Sequence, residues 1–244
     1  SMLKNLDLDL VLPNGEYKEK LRELRPRLLR LQRACWNAGL GSLIVFEGWA
    51  FSGRGQAIRT LTQRLEPRGF VLNHVRAPRS YEAGLPWMWR FWESLPRFGQ
   101  MAIYYGGWYR RVFVSRSQGL VSNDECEQAF ADINSFEKML VDDRYLMTKF
   151  FFHIDLHEQS QRIMAAEADP LETWKLEVDD WGERILDPQH LRYAEEMLTR
   201  TSDGAVPWHL VAATDISYAR ILVMERVAET LTEGLRAHGE EIPD

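Results

Sequence analysis

The chain has 244 residues, 45% of them hydrophobic and 27% charged, enough to bury one substantial core without help from disulfides or metals. Its formal charge of −6 is unevenly placed: residues 1–120 carry 19 Lys and Arg against 9 Asp and Glu, and residues 121–244 carry 11 against 27. No apolar run approaches the roughly 18 residues of a bilayer span, and the two cysteines, Cys35 and Cys126, lack CxxC spacing, which excludes a spanning helix, a disulfide framework and a cysteine zinc site.

The start, SMLKNLDLDL, has no basic-then-apolar leader layout, so a cytoplasmic protein without membrane or nucleic-acid partners is expected; Ser1 ahead of Met2 reads as a protease scar. Residues 17–36 read as an amphipathic helix. At 100° per residue, Leu21, Leu24, Leu28, Leu31 and Cys35 fall within about 80° of one another. Arg22, Arg25, Arg30 and Arg33 lie opposite, either as a solvated face or as a rail for a polyanion.

From residue 43 short apolar runs alternate with longer amphipathic stretches, the pattern of a parallel sheet covered by helices. Strands are expected at 42–48, 70–78, 100–106, 146–154 and 208–215, and their near-continuous apolar character predicts burial on both faces. Helices are expected at 56–65, 87–95, 124–141, 156–168 and 216–238. The segment 169–187 reads as an irregular insertion. His153, Asp155 and His157 sit where a strand passes into a helix, and Asp155 is better explained as an N-cap than as a metal ligand. The tryptophans Trp87, Trp89 and Trp92 fit a core or a subunit interface better than a nucleobase stack.

The most informative stretch is VFEGWAFSGRGQ, residues 45–56. An apolar strand runs into Gly48, four residues follow, and Gly53-Arg54-Gly55 opens a helix, which is Walker A spacing. Backbone N–H groups of such a loop turn inward as an anion nest, and the helix N-terminus adds its positive end. Gly48, Ser52, Gly53, Arg54 and Gly55 are therefore the candidate phosphate-binding residues. Arginine stands where the motif has lysine, and no Ser or Thr follows it. A Gly-rich turn that only lets helix and sheet pack closely would share this spacing.

Successive blocks carry a wider resemblance. FEGWAFSGRGQAIRTLTQRLEPRGF (46–70), PWMWRFWESLP (86–96), MAIYYGGWYRRVFV (101–114), KFFFHI (149–154), DPLETWKL (169–176) and the stretch through WHLVAATD (208–215) occur in the order of the polyphosphate kinase 2 family, which the chain resembles over about residues 17–235. The resemblance implies a single three-layer α/β domain of the P-loop kinase type, with a mainly parallel five-stranded sheet and a helical lid insertion. Within it, 17–41 would be the N-terminal helix, 42–168 the core, 169–187 the lid and 188–244 the rest of the core. It implies transfer of a phosphoryl group between inorganic polyphosphate and a nucleoside mono- or diphosphate, with magnesium, in a homo-oligomer or beside a related chain. The family's two metal-binding aspartates fall at Ala50 and Tyr105, so no metal ligand is expected and activity should be weak or absent. Arg54, Arg111, Arg116 and Lys175 match family cations and are the candidate catalytic residues, although each of the last three also suits a solvated surface. IYYGGWY in place of an aspartate-ended strand resembles the degenerate copy of the family's two-domain members, and a non-catalytic binding or assembly role is the alternative.

Overall fold

The structure, a computed structural model, describes residues 1–172, 187–202 and 206–244. Among them, α1 (Asn14–Ala38) leads into β1 (Gly41–Gly48), α2 (Arg54–Thr62), β2 (Phe70–His74), the short α3 (Trp89–Glu93), β3 (Met101–Tyr105), a π-helical turn (Arg111–Ser115) and α4 (Asn123–Asp142). Then come β4 (Tyr145–His153), α5 (Leu156–Ala168), α6 (Pro188–Arg200), β5 (Trp208–Ala212) and α7 (Ile216–Ala237). The five strands form one sheet in the order β2-β3-β1-β4-β5, and every neighbouring pair is parallel.

The apolar stripe of α1 is buried as its periodicity requires, with Leu21, Leu24, Leu28, Leu31 and Cys35 all inside. The helix packs on α7, which also meets α2 and β4. Strand alternation shows that this layer and α4 lie on opposite faces. The side chain of Leu146 in β4 meets Gly234 of α7, whereas three residues on Lys149 reaches Glu137 of α4. The result is a three-layer α/β fold with β1 at its centre, buried along its whole length.

Several boundaries differ from the sequence reading. The helix expected at 87–95 shrinks to Trp89–Glu93, with Pro86 ahead of it and Pro96 behind, since proline supplies no N–H and restrains the residue before it. The strand expected over 70–78 stops at His74. It is also not buried on both faces: Val71 and Leu72 are 51% and 52% exposed, because β2 lies at the edge of the sheet. The helix Pro188–Arg200 was not anticipated; Asp187 caps it by accepting from the N–H groups of Gln189 and His190, both at 2.8 Å. The expected lid insertion, with Lys175, falls largely on residues outside those described.

Candidate phosphate-binding site

The Gly48–Gly55 loop leaves β1 at the carboxyl end of the sheet, where open parallel sheets hold their ligands. Gly48 has φ +135°, and a Cβ there would stand 2.4 Å from the Phe152 carbonyl oxygen, so only glycine lets the loop pass β4 this closely. Gly53, at φ +94°, caps α2, whose first residues are Arg54 and Gly55. Between them Phe51 takes φ +61°, the one positive φ outside glycine among the described residues. An L-residue held there costs about 1–2 kcal/mol, so the surroundings must enforce it. Two side chains of α5 do so. Buried Gln159 donates from Nε2 to the Ala50 carbonyl at 3.1 Å, and Arg162 donates from Nη1 to the Phe51 carbonyl at 3.0 Å.

A cavity of about 660 Å³ opens beside the loop. Its cations are Arg54, Arg59 and Arg162, its acids Asp169 and Glu172, and His74 and Tyr105 close it on the sheet side. Arg54 is only 2% exposed, and its guanidinium stacks 4.7 Å from the centre of the Tyr105 ring. That contact contributes about 0.5–2 kcal/mol and fixes the charge at the cavity wall. His74 meets the same ring edge-on at 5.1 Å. The position that the family resemblance assigns to a metal-binding carboxylate thus holds an aromatic platform for an arginine.

A second cavity, of about 320 Å³, lies beyond the end of β3, lined by Trp87, Trp89, Arg90, Gly107, Arg110 and Arg111 among others. Glu47, fully buried, accepts the Gly107 N–H at 2.6 Å and so ties the end of β1 to this turn. Arg111 lies over the Trp87 ring at 5.1 Å, while Trp87 donates to Asp132 at 2.9 Å. Tyr105 lines the first cavity and Gly107 the second, so the two spaces flank one turn.

That turn is anchored from below by a buried charge pair. Lys149 Nζ donates to Glu137 Oε2 at 2.9 Å and to the Thr201 carbonyl at 2.8 Å. Trp108 Nε1 donates to Glu137 Oε1 at 3.0 Å, and the Tyr109 hydroxyl donates to the same oxygen. Burial pushes the Glu137 carboxyl up and the Lys149 ammonium down, and their mutual attraction opposes both shifts. Beside the loop, Trp49 Nε1 donates to His153 Nδ1 at 2.8 Å, and burial holds that imidazole below its ordinary value.

Of the residues singled out in the sequence, Gly53, Arg54 and Gly55 line the larger cavity together. Gly48 and Ser52 shape the loop but line neither cavity; the Ser52 hydroxyl is buried and finds no hydrogen-bond partner among the described residues. Arg111 belongs to the second cavity. Arg116 lines neither: it pairs with Glu196 of α6 at 2.7 Å and covers the Tyr193 ring at 4.3 Å. Lys175 lies outside the described residues. Asp155 is an N-cap, accepting from the Glu158 N–H at 2.7 Å. Sequence reasoning passed over Arg59, His74, Arg90, Arg110, Gln159 and Arg162; the partners of the last two lie far along the chain.

Among the described residues, magnesium, which the resemblance implies, does not find carboxylates at the two positions where the resemblance puts them. Position 50 offers a methyl group, Tyr105 carries Arg54 on its ring, one Glu47 oxygen accepts the Gly107 N–H, and the cavity's other acids, Asp169 and Glu172, come from beyond the end of α5. Among the described residues no group of three or more His, Cys, Asp or Glu could hold a metal ion.

A parallel sheet with a glycine-rich loop at its carboxyl end, opening a helix beside a cation-lined cavity, defines a P-loop kinase-like α/β protein. The polyphosphate kinase 2 (PPK2) family model matches residues 12–238, and the chain belongs to that family. It is 33% identical over 231 residues to the polyphosphate:AMP phosphotransferase of Pseudomonas syringae pv. tomato, covering 95% of this chain and 46% of the relative. It is 32% identical to NDP-polyphosphate phosphotransferase 1 of Ruegeria pomeroyi, covering 86% of this chain and 69% of that one. A crystallised relative from Pseudomonas aeruginosa superposes with a TM-score of 0.88 at 31% identity, over 96% of this chain and 50% of that one. The chain therefore spans about half the length of the polyphosphate:AMP phosphotransferases it matches.

Proposed function

We propose that this chain binds inorganic polyphosphate in the cavity beside the Gly48–Gly55 loop and a nucleoside mono- or diphosphate in the cavity beyond β3, with phosphoryl transfer between them weak or lost. Three relatives support the substrate classes by name: a polyphosphate:AMP, an NDP-polyphosphate and a GDP-polyphosphate phosphotransferase. In such a reaction the nucleotide's terminal phosphate oxygen attacks the last phosphorus of the chain, and the bridging P–O bond breaks. The shortened polyphosphate leaves with the electron pair. Catalysis is positioning plus neutralisation of charge on the transferring group. Arg54, Arg59 and the loop N–H groups supply positive potential on the polyphosphate side, and Arg90, Arg110 and Arg111 on the nucleotide side, with Trp87 and Trp89 offering apolar surface to a base. The resemblance also counts Arg116 and Lys175 among the cations of the reaction, although Arg116 here pairs with Glu196 away from both cavities and Lys175 lies outside the described residues.

The observation that carries the reading is the Arg54–Tyr105 stack, together with Ala50. These keep an anion site and remove the seat of the metal. A second reading is a cytoplasmic, non-catalytic polyphosphate- or nucleotide-binding partner of a catalytic relative, favoured by Ala50 and the Tyr105 ring standing where the resemblance puts metal-binding aspartates. The test is turnover of polyphosphate with AMP, ADP and GDP at millimolar Mg²⁺, comparing the chain as it stands with Ala50→Asp/Tyr105→Asp. Losing metal neutralisation worth about 4 kcal/mol lowers rates about a thousandfold, so the unmodified chain should fall far below the roughly 1–100 s⁻¹ of kinases. Robust magnesium-dependent turnover by the unmodified chain refutes the reading.

A further inference from the structure

The conformation of the phosphate loop is held from outside the loop. Arg162 sits on α5 with its side chain largely covered, and its guanidinium makes four hydrogen bonds. Nε donates to Glu158 Oε1 at 2.6 Å, Nη1 to the Phe51 carbonyl at 3.0 Å, and Nη2 to the carbonyls of Ala213 and Thr214 at 2.8 and 3.0 Å. One planar group thus ties the loop to the turn between β5 and α7, while Glu158 fixes the plane of the fork. One helical turn away, Gln159, 1% exposed, holds the carbonyl of Ala50 at 3.1 Å.

Two consecutive carbonyls are therefore drawn to the α5 side. Because the peptide unit is planar and trans, a carbonyl held on one side sends the next N–H to the other. The Phe51 N–H must then point away from Gln159. The Ser52 N–H, which follows the Phe51 carbonyl, turns back to the Trp49 carbonyl at 3.2 Å. This arrangement requires the positive φ of Phe51, which an L-residue leaves when nothing holds it.

We propose that Arg162 and Gln159 are positioning residues of the anion cradle: by holding the Phe51 and Ala50 carbonyls they keep Phe51 left-handed and its N–H turned to a terminal polyphosphate group. The inference rests on polyphosphate binding at this loop. It does not rest on phosphoryl transfer, and it assigns Arg162 a role through backbone geometry rather than charge, although the side chain also borders the cavity.

Lysine separates the two roles, since it keeps the charge but cannot fork between three carbonyls. Tripolyphosphate binding by calorimetry, in buffer containing EDTA, should weaken about tenfold in Arg162→Lys, the loss expected for one charge-assisted hydrogen bond. Because glycine occupies positive φ without cost, Phe51→Gly added to Arg162→Lys should recover most of that loss. Gln159→Met, which keeps side-chain length, should weaken binding about threefold, as loss of one neutral hydrogen bond does, and gives the answer if Arg162→Lys does not fold. Parent-like binding by Arg162→Lys, or a loss that Phe51→Gly does not repair, overturns the proposal in favour of a purely electrostatic or purely structural arginine. Absence of tripolyphosphate binding by the unmodified chain is a different result. It would remove the reading of the site itself.

Discussion

Replacing Lys149 by Met should destabilise the protein by an amount set largely by one proton. Lys149 is fully buried in β4, and its removal leaves the Glu137 carboxylate, with a side chain 3% exposed, facing only the donors of Trp108 and Tyr109. A buried unpaired carboxylate takes up a proton instead of staying charged. From its ordinary value of 4.5, protonating it at pH 7 costs about 3.4 kcal/mol at about 1.36 kcal/mol per unit. That agrees with the roughly 3–5 kcal/mol for breaking a buried pair. At about 2.1 cal/mol/K per residue over 244 residues, the entropy of unfolding is near 0.5 kcal/mol/K, so Tm should drop by about 7 °C. The sign with pH follows from linkage. In the variant, the folded carboxyl titrates well above the unfolded one, so the folded state holds the extra proton and stability is lost as pH rises above about 4.5. The deficit against the parent, whose Lys149 holds its own raised Glu137 carboxyl lower than in the variant, should therefore shrink on acidification from pH 7 to 5, by at most about 1.4 kcal/mol per unit. Adding Glu137→Gln, which keeps an acceptor for Trp108 and Tyr109 without the charge, should recover most of it. Denaturant melts at both pH values decide the matter. An equal deficit at pH 7 and pH 5, or no recovery in the double variant, would show that the cost is a packing defect and that the charge argument is wrong.

Tripolyphosphate at about a hundred times its Kd should stabilise the parent by about 2.7 kcal/mol, a rise of roughly 5 °C on the same entropy scale; Arg54→Ala should abolish most of that shift in a thermal melt, and an unchanged shift would remove Arg54 from the ligands. Stability should also fall on acidification through His153. Its folded value is depressed, so its contribution is complete above the unfolded value of 6.5 and lost as pH falls through the folded one. His153→Asn, whose side-chain oxygen can still accept from Trp49, should flatten Tm between pH 7.5 and 5.0, leaving a residue from His209, which burial depresses likewise.

The parts of the site legible in the sequence are those that depend on chain neighbours. Gly48 and Gly53 are spaced for a strand-loop-helix turn, and both take the positive φ that explains the glycine. Asp155 caps α5 because the N–H it serves lies three residues on. What stayed hidden depends on residues far along the chain. Arg162 bonds to Phe51, 111 positions earlier, and to Ala213, 51 later, and nothing in an amphipathic helix marks which arginine leaves the solvated face. Lys149, in an apolar run, gave no sign of Glu137 as its partner because the pair meets only when α4 covers the sheet. The apolar letters of β2 suited a central strand, and its edge position follows from sheet order, which local pattern does not encode.

The shape of the loop and the chemistry of its ligand sphere rest on different residues. Gly48 is fixed by the Phe152 backbone, Phe51 and Ala50 by Arg162 and Gln159, and Gly107 by Glu47; the Trp108–Tyr109 segment is held by Glu137 and Lys149. None of these contacts involves the side chain at position 50 or 105. Placing Ala and Tyr there removes oxygen ligands without disturbing a bond that holds the cradle open, and the ring of Tyr105 adds a surface that keeps Arg54 at its wall. On the proposed reading, an N–H nest and a guanidinium can attract anions without a metal, because neither needs a metal to be oriented. The converse does not hold. Loosening Arg162 would leave the charges of Arg54 and Arg59 in place and still release the Phe51 carbonyl, so the proposed anion affinity should depend on the geometry of α5 as much as on the charge of the loop.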